Sequence, residues 1–108
     1  MSKVTPKPWT PAQATHRIRE KANQDPQICW TAHAKERMEE RGLIMGDLMH
    51  VLQNGTVFDE AEPTTEVGLY KYRMECQTPN SQGRSVRVVV IPYSSATLKI
   101  VTIMWVDF

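Results

Sequence analysis

The hydrophobic period of this chain changes once, near Thr56, and that change divides it into a helical first part and a β second part. Before it, apolar residues recur every three or four positions: Ala14, Ile18 and Ala22; Trp30, Ala34 and Met38; Leu48, Val51 and Leu52. Each trio falls on one face of a helix. After it the period is two. Leu69 to Gln77 alternates, with Tyr70, Tyr72, Met74 and Cys76 on one side and Lys71, Arg73 and Glu75 on the other. Ser85 to Ile91 is a β-branched run interrupted by Arg87, and Leu98 to Val106 is apolar on both faces, as a central strand would be. Helices followed by a meander predict an α+β domain, with the N-terminal helices packed on one face of a three- to four-stranded antiparallel sheet.

The ends of the helices are marked. Thr10-Pro11-Ala12-Gln13 reads as a capping box with proline in the first turn, opening a helix that runs to about Asn23. A second helix is expected from a Thr31 cap to Gly42, which supplies the left-handed residue past its end. A third spans roughly Asp47 to Asn54 and is closed by Gly55. Thr56 to Glu60 reads as a short strand, 59–66 as an acidic loop, and 78–83 and 92–95 as turns. Residues 1–9, with two prolines and two lysines and little to bury, are expected to be a flexible arm, and 10–108 a single domain.

Composition narrows the function classes. The chain has 108 residues and a formal net charge of +1, so bulk charge does not draw it to nucleic acid; that role needs basic residues segregated on one face. Two cysteines, Cys29 and Cys76, suit a reducing compartment, and both are expected to stay reduced. No apolar run is long enough to span a bilayer and no signal-like segment opens the chain, so a cytoplasmic protein is expected. Cys29 and His33 are not matched by a second pair at ligand spacing, and no metal or cofactor is expected. Neither a nucleophile elbow nor a glycine-rich phosphate loop is present in the sequence.

His33, Arg37 and Arg41 are spaced four apart, and so climb one side of the second helix along the border of its apolar stripe. At a helix start the macrodipole favours a neutral imidazole able to accept a proton. Two guanidiniums one turn apart can hold the non-bridging oxygens of a phosphodiester; pairing with Glu36 and Glu40 is the competing reading. Lys71, Arg73 and Arg87 fall on the polar parity of their strands, where a solvated face is the competing reading.

The string His33-Ala-x-x-Arg37-x-x-x-Arg41-Gly42-Leu43, then Asp47-Leu-Met-His-Val51-Leu ending at Asn54-Gly55, resembles a small bacterial family of unknown-function domains. That family is assigned to the RelE-like ribonuclease-toxin superfamily, which groups barnase, EndoU, colicin nucleases and RelE. Tyr70-x-Tyr72, Arg84-x-x-Arg87-Val-Val-Val and Val101-Thr102-Ile103 extend the likeness over roughly Trp30 to Trp105. The resemblance implies a RelE-like fold, metal-independent RNA cleavage and a neutralising protein antitoxin. It points to His33 and Arg37, and on the strands to Arg87 and Thr102. RelE-type toxins are usually strongly basic and this chain is nearly neutral; the first helix also lies outside the family's motif.

Metal-free cleavage by 2′-hydroxyl attack needs a base, cationic donors for the phosphorane and an acid for the leaving oxygen. The expected roles are His33 as base or acid, Arg37 as transition-state donor and Thr102 as orienting group. Arg41, Lys71, Arg73, Arg84 and Arg87 would hold phosphates of RNA, free or as ribosome-bound mRNA. The acid is open among Tyr70, Tyr72 and Lys71. The alternative is a non-catalytic protein-binding module on the same fold. An enzyme should gather these groups in one concave site; a binding module should expose an apolar patch.

Overall fold

The computed structural model describes residues 7–106. Three helices, α1 (Pro11–Ala22), α2 (Ala34–Glu40) and α3 (Met45–Asn54), accompany six strands: β1 (Gln27–Trp30), β2 (Thr56–Val57), β3 (Glu62–Pro63), β4 (Tyr70–Gln77), β5 (Ser85–Pro92) and β6 (Thr97–Val106). The strands form one mixed sheet in the order β1-β6-β5-β4-β2, with β3 joined to β4 off that path.

The α+β class is as the sequence predicts, but the sheet is neither purely antiparallel nor limited to four strands. β1 runs parallel to β6, pairing Gln27 with Thr97 through Trp30 with Ile100. A parallel neighbour needs a long crossover, and α2, α3 and the β4–β5 meander supply it. Trp30, expected on the stripe of α2, is therefore a strand residue. β6 is interior only over its first four positions; beyond Ile100 its outer edge has no strand partner among the described residues and α2 packs there instead. Of the strand expected over Thr56 to Glu60, only Thr56 and Val57 pair, with Glu75 and Met74. Phe58 is 67% exposed as the chain turns away.

One buried cluster joins the three helices to the sheet. Ala14 and Ile18 of α1, Ala34 and Met38 of α2, and Leu48, Val51 and Leu52 of α3 meet Tyr72, Met74, Val86, Val88, Val90, Leu98, Ile100 and Ile103. The alternate strand positions, Lys71, Arg73, Glu75, Arg87, Val89 and Thr102, lie outside it. The alternation of β4 and β5 thus gives the sheet one apolar and one largely polar face. Cys29 on β1 and Cys76 on β4 are separated by β6 and β5, about 14 Å at ordinary strand spacing, too far for a disulfide.

The expected capping box of α1 is present: Gln13 N–H donates to Thr10 Oγ1 at 3.2 Å and Thr10 N–H to Gln13 Oε1 at 3.1 Å. Of the expected arm, residues 1–6 lie outside those described. Trp9 stacks on Tyr72 with ring centroids 5.6 Å apart and donates its N–H to the Tyr72 hydroxyl.

Gly55, which ends α3, is enclosed. A Cβ there would sit 2.5 Å from the Val51 carbonyl oxygen, and the Gly55 carbonyl accepts from Arg19 Nε at 2.8 Å. Backbone cannot yield as a flexible side chain would, so Gly55→Ala is expected to cost about 2 kcal/mol. The check is the thermal midpoint; an unchanged midpoint would mean that the α3–β2 corner relaxes freely.

Candidate functional site

The helix that carries the basic row starts later than its sequence suggests. Thr31 does not cap it. Parallel pairing with β6 continues through Thr31, whose N–H donates to the Ile100 carbonyl at 3.0 Å and whose hydroxyl donates to the Val101 carbonyl at 3.0 Å. His33 takes the N-cap position of α2 without a side-chain cap bond. The other end is as expected. Gly42 adopts φ +70°, Gly42 N–H donates to Glu39 O at 3.1 Å and Leu43 N–H to Met38 O at 2.9 Å, closing a Schellman turn.

The three members of the row have different surroundings. The His33 side chain is 76% exposed and its Nδ1 lies 3.9 Å from Glu36 Oε2. Arg37 is exposed, and among the described residues its guanidinium has no ion pair or hydrogen bond, so the expected competition from Glu36 and Glu40 is absent. Arg41 reaches the open edge of β6. Its Nη1 donates to the Ile103 carbonyl at 2.7 Å and to Thr102 Oγ1 at 3.3 Å, while its carbonyl accepts from Trp105 Nε1 at 2.8 Å. Arg41 thus fastens α2 to β6, in place of the free phosphate ligand the spacing suggests.

The strand cations are engaged as well. Lys71 Nζ lies 3.8 Å from Glu62 Oε2, and Arg73 Nη2 pairs closely with Glu62 Oε1. Arg87 holds Glu75 Oε2 through Nη2 at 3.2 Å and Nε at 3.3 Å. Arg84 precedes β5 and stacks over the Trp105 ring at 4.3 Å. The carboxylates were the partners hardest to foresee: Glu62 reads as one more acid in an acidic loop until β3 sets it opposite Lys71.

Register brings some of these groups together. Arg73, Val89 and Thr102 form one cross-strand row, and Glu75, Arg87 and Met104 the next. Arg41 therefore joins the α2 row to the polar sheet face at Thr102, two strands, or about 10 Å, from Arg73. No hydrogen bond or ion pair links His33 or Arg37 to Arg73, Arg87 or Thr102 among the described residues.

A family model described as a domain of unknown function, DUF4258, matches residues 30–105. The chain belongs to the DUF4258 family. No curated protein and no solved structure matches the chain. The DUF4258 span takes in every candidate above, from His33 to Thr102, and leaves α1 outside.

Within the DUF4258 span, Tyr72 is 3% exposed on the apolar parity of β4. Burial pushes its phenol above the ordinary range, helped by Tyr70 and opposed by the Trp9 N–H. It belongs to the core, Tyr70 on the same parity packs against that core partly buried, and Lys71 is held at Glu62, so none of the three acids expected from the sequence stands beside His33 and Arg37. Burial also raises the Cys76 thiol, against the pull of nearby Arg19. Among the described residues no group of three or more His, Cys, Asp or Glu side chains is placed to hold a metal ion. No described helix is long and apolar enough to cross a membrane.

Proposed function

We propose that this chain is a toxin-like, metal-independent endoribonuclease of RelE-like type, restrained by a protein antitoxin. The observation that carries the reading is the free guanidinium of Arg37, one turn from exposed His33, on the helix whose next turn is fastened to the polar sheet face through Arg41 and Thr102. An unpaired arginine gains nothing for the fold, whereas its five donors suit a phosphorane.

In this mechanism the ribose 2′-hydroxyl attacks the adjacent phosphorus and His33 takes its proton. Arg37 holds the non-bridging oxygens as charge gathers there. The bond from phosphorus to the 5′-oxygen then breaks, leaving a cyclic phosphate, and the departing oxygen takes a proton from water. Thr102 and Arg41 keep α2 at a fixed height on β6, and Arg73 and Arg87 receive flanking phosphates.

The test is RNA cleavage by purified protein with excess chelator, on free RNA and on translating ribosomes. Arg37→Ala and His33→Ala should each slow cleavage about a hundredfold. Both sites are exposed, so their thermal midpoints should stay within a degree or two of the parent's. Failure of the folded parent to cut either substrate would overturn the reading. It would favour a protein-binding module, for which Ile44 and Met45, adjacent and 55% and 43% exposed at the start of α3, offer an apolar contact.

A further inference from the structure

Glu62 and Glu75 each engage cations on the polar face of the sheet. Lys71 and Arg73, one pleat apart on β4, converge on the two oxygens of the Glu62 carboxylate, one on each. Arg87 addresses Glu75 from the neighbouring strand through two guanidinium nitrogens, both on Oε2. Three cations and two carboxylates lie side by side on one face, which is why a patch of strand cations coexists with nearly neutral charge.

The two pairs differ in how they are held. Glu62 and its partners are each 35–42% exposed, and β3 consists of only two residues. Glu75, 14% exposed, lies within the eight-residue β4. A solvated ion pair exchanges readily with another anion, since water already screens it. A phosphodiester presents the same pair of oxygens as a carboxylate and accepts the same forked donors. The Glu62 carboxylate is thus a built-in competitor, tethered at high effective concentration.

We propose that Lys71, Arg73 and Arg87 form a phosphate-reading surface for single-stranded RNA which the chain's own Glu62 and Glu75 keep neutral until RNA displaces them. The inference rests on the ribonuclease reading for its choice of RNA. It adds that binding is gated by intramolecular carboxylates, and it does not depend on cleavage.

The experiment measures binding of a fluorescent 2′-O-methyl oligoribonucleotide, which lacks the attacking hydroxyl and cannot be cut by the proposed route. Affinity is followed against salt concentration for the parent and for Glu62→Gln with Glu75→Gln. The exposed Glu62 pairs are worth up to about a factor of five, and the more enclosed Glu75–Arg87 pair at least about a factor of two, so the double variant should bind roughly tenfold more tightly. The slope of log affinity against log salt should steepen by about 1.4, for two further phosphates held. Adding Lys71→Ala and Arg73→Ala to that variant should abolish most of the gain. A charge-matched control, Glu20→Gln with Asp25→Asn on and just after α1, should give less than a twofold change.

An equal gain in the control, or no gain in the double variant with its fold intact by thermal melting, would overturn the gating. Tighter binding without any cleavage of ordinary RNA would instead uphold the surface and count against the nuclease. The two ideas can therefore fail separately.

Discussion

Asp47→Ala should lower the thermal midpoint by roughly 15 °C, equivalent to about 3 kcal/mol in a domain of this size. Asp47 is only 1% exposed and serves three donors: Thr78 Oγ1 at 2.6 Å, Ile44 N–H at 2.9 Å and Asn80 Nδ2 at 3.1 Å. One carboxylate thereby closes the start of α3 and pins the β4–β5 connection to it. Truncation strands the Thr78 hydroxyl, itself 7% exposed, in a place water hardly reaches.

The same residue gives a pH dependence of determinate sign. Burial alone would raise the Asp47 carboxyl, but the bonds from Thr78, Ile44 and Asn80, with the charge of His50, bring it below the ordinary 3.8. A carboxyl depressed by folding stabilises above its unfolded value, and that contribution is lost as pH falls through the folded value. Asp47→Asn should therefore trail the parent at pH 7 and draw closer to it below about pH 3.8. Chemical denaturation of both proteins at pH 7 and pH 3 measures this; a constant gap between them would remove the carboxylate from the account.

Met38→Asp is expected to be more damaging, by about 4 kcal/mol. Met38 is 6% exposed, belongs to the common core, and is the α2 residue whose carbonyl closes the Schellman turn. An aspartate there loses apolar burial and has to keep a charge out of water without a partner. Met38→Ala removes the volume but not the polarity, and should cost about 2–3 kcal/mol. The difference between the two should shrink steadily as pH falls from about 7 toward the ordinary carboxylate range, because burial raises the new carboxyl and lets it take up a proton in the folded protein. Equal midpoints for Met38→Asp and the parent would place α2 elsewhere than against β6.

Much of this arrangement is legible in the residues. The Thr10 capping box, the Gly42 terminus and the alternation of β4 all survive in the structure because they are local: neighbours within a few positions decide them. β1 is hidden for the opposite reason. Four residues are too few to display a period, and what makes Gln27–Trp30 a strand is β6, about 70 positions away. That pairing also draws Thr31 from its expected cap into the ladder. β3 holds a proline and two residues in all, so only its contact with β4 identifies it.

The candidate site divides in the same way. The spacing of His33, Arg37 and Arg41 is a local fact, and the structure sets the first and last of them at the two caps of α2. Which of the three is free is not local. Arg41 and Arg37 have the same chemistry, and they are told apart by whether a β6 carbonyl lies within reach. The partners of the strand arginines are likewise set by register, since a one-residue slip between β4 and β5 would turn one strand's side chains to the other face.

The parallel docking of β1 also governs the order in which the chain is completed. During synthesis α1, β1, α2 and α3 emerge before any part of β6, yet β6 is the strand that β1 and α2 pack on. α1 and α3 contact each other directly and can associate early. β1 has no strand partner among the described residues until β6 is made, and α2 awaits the same strand, because closing a loop of about 70 residues is what seats them. For that interval Ile28, Trp30 and Met38 are the surface a chaperone would meet.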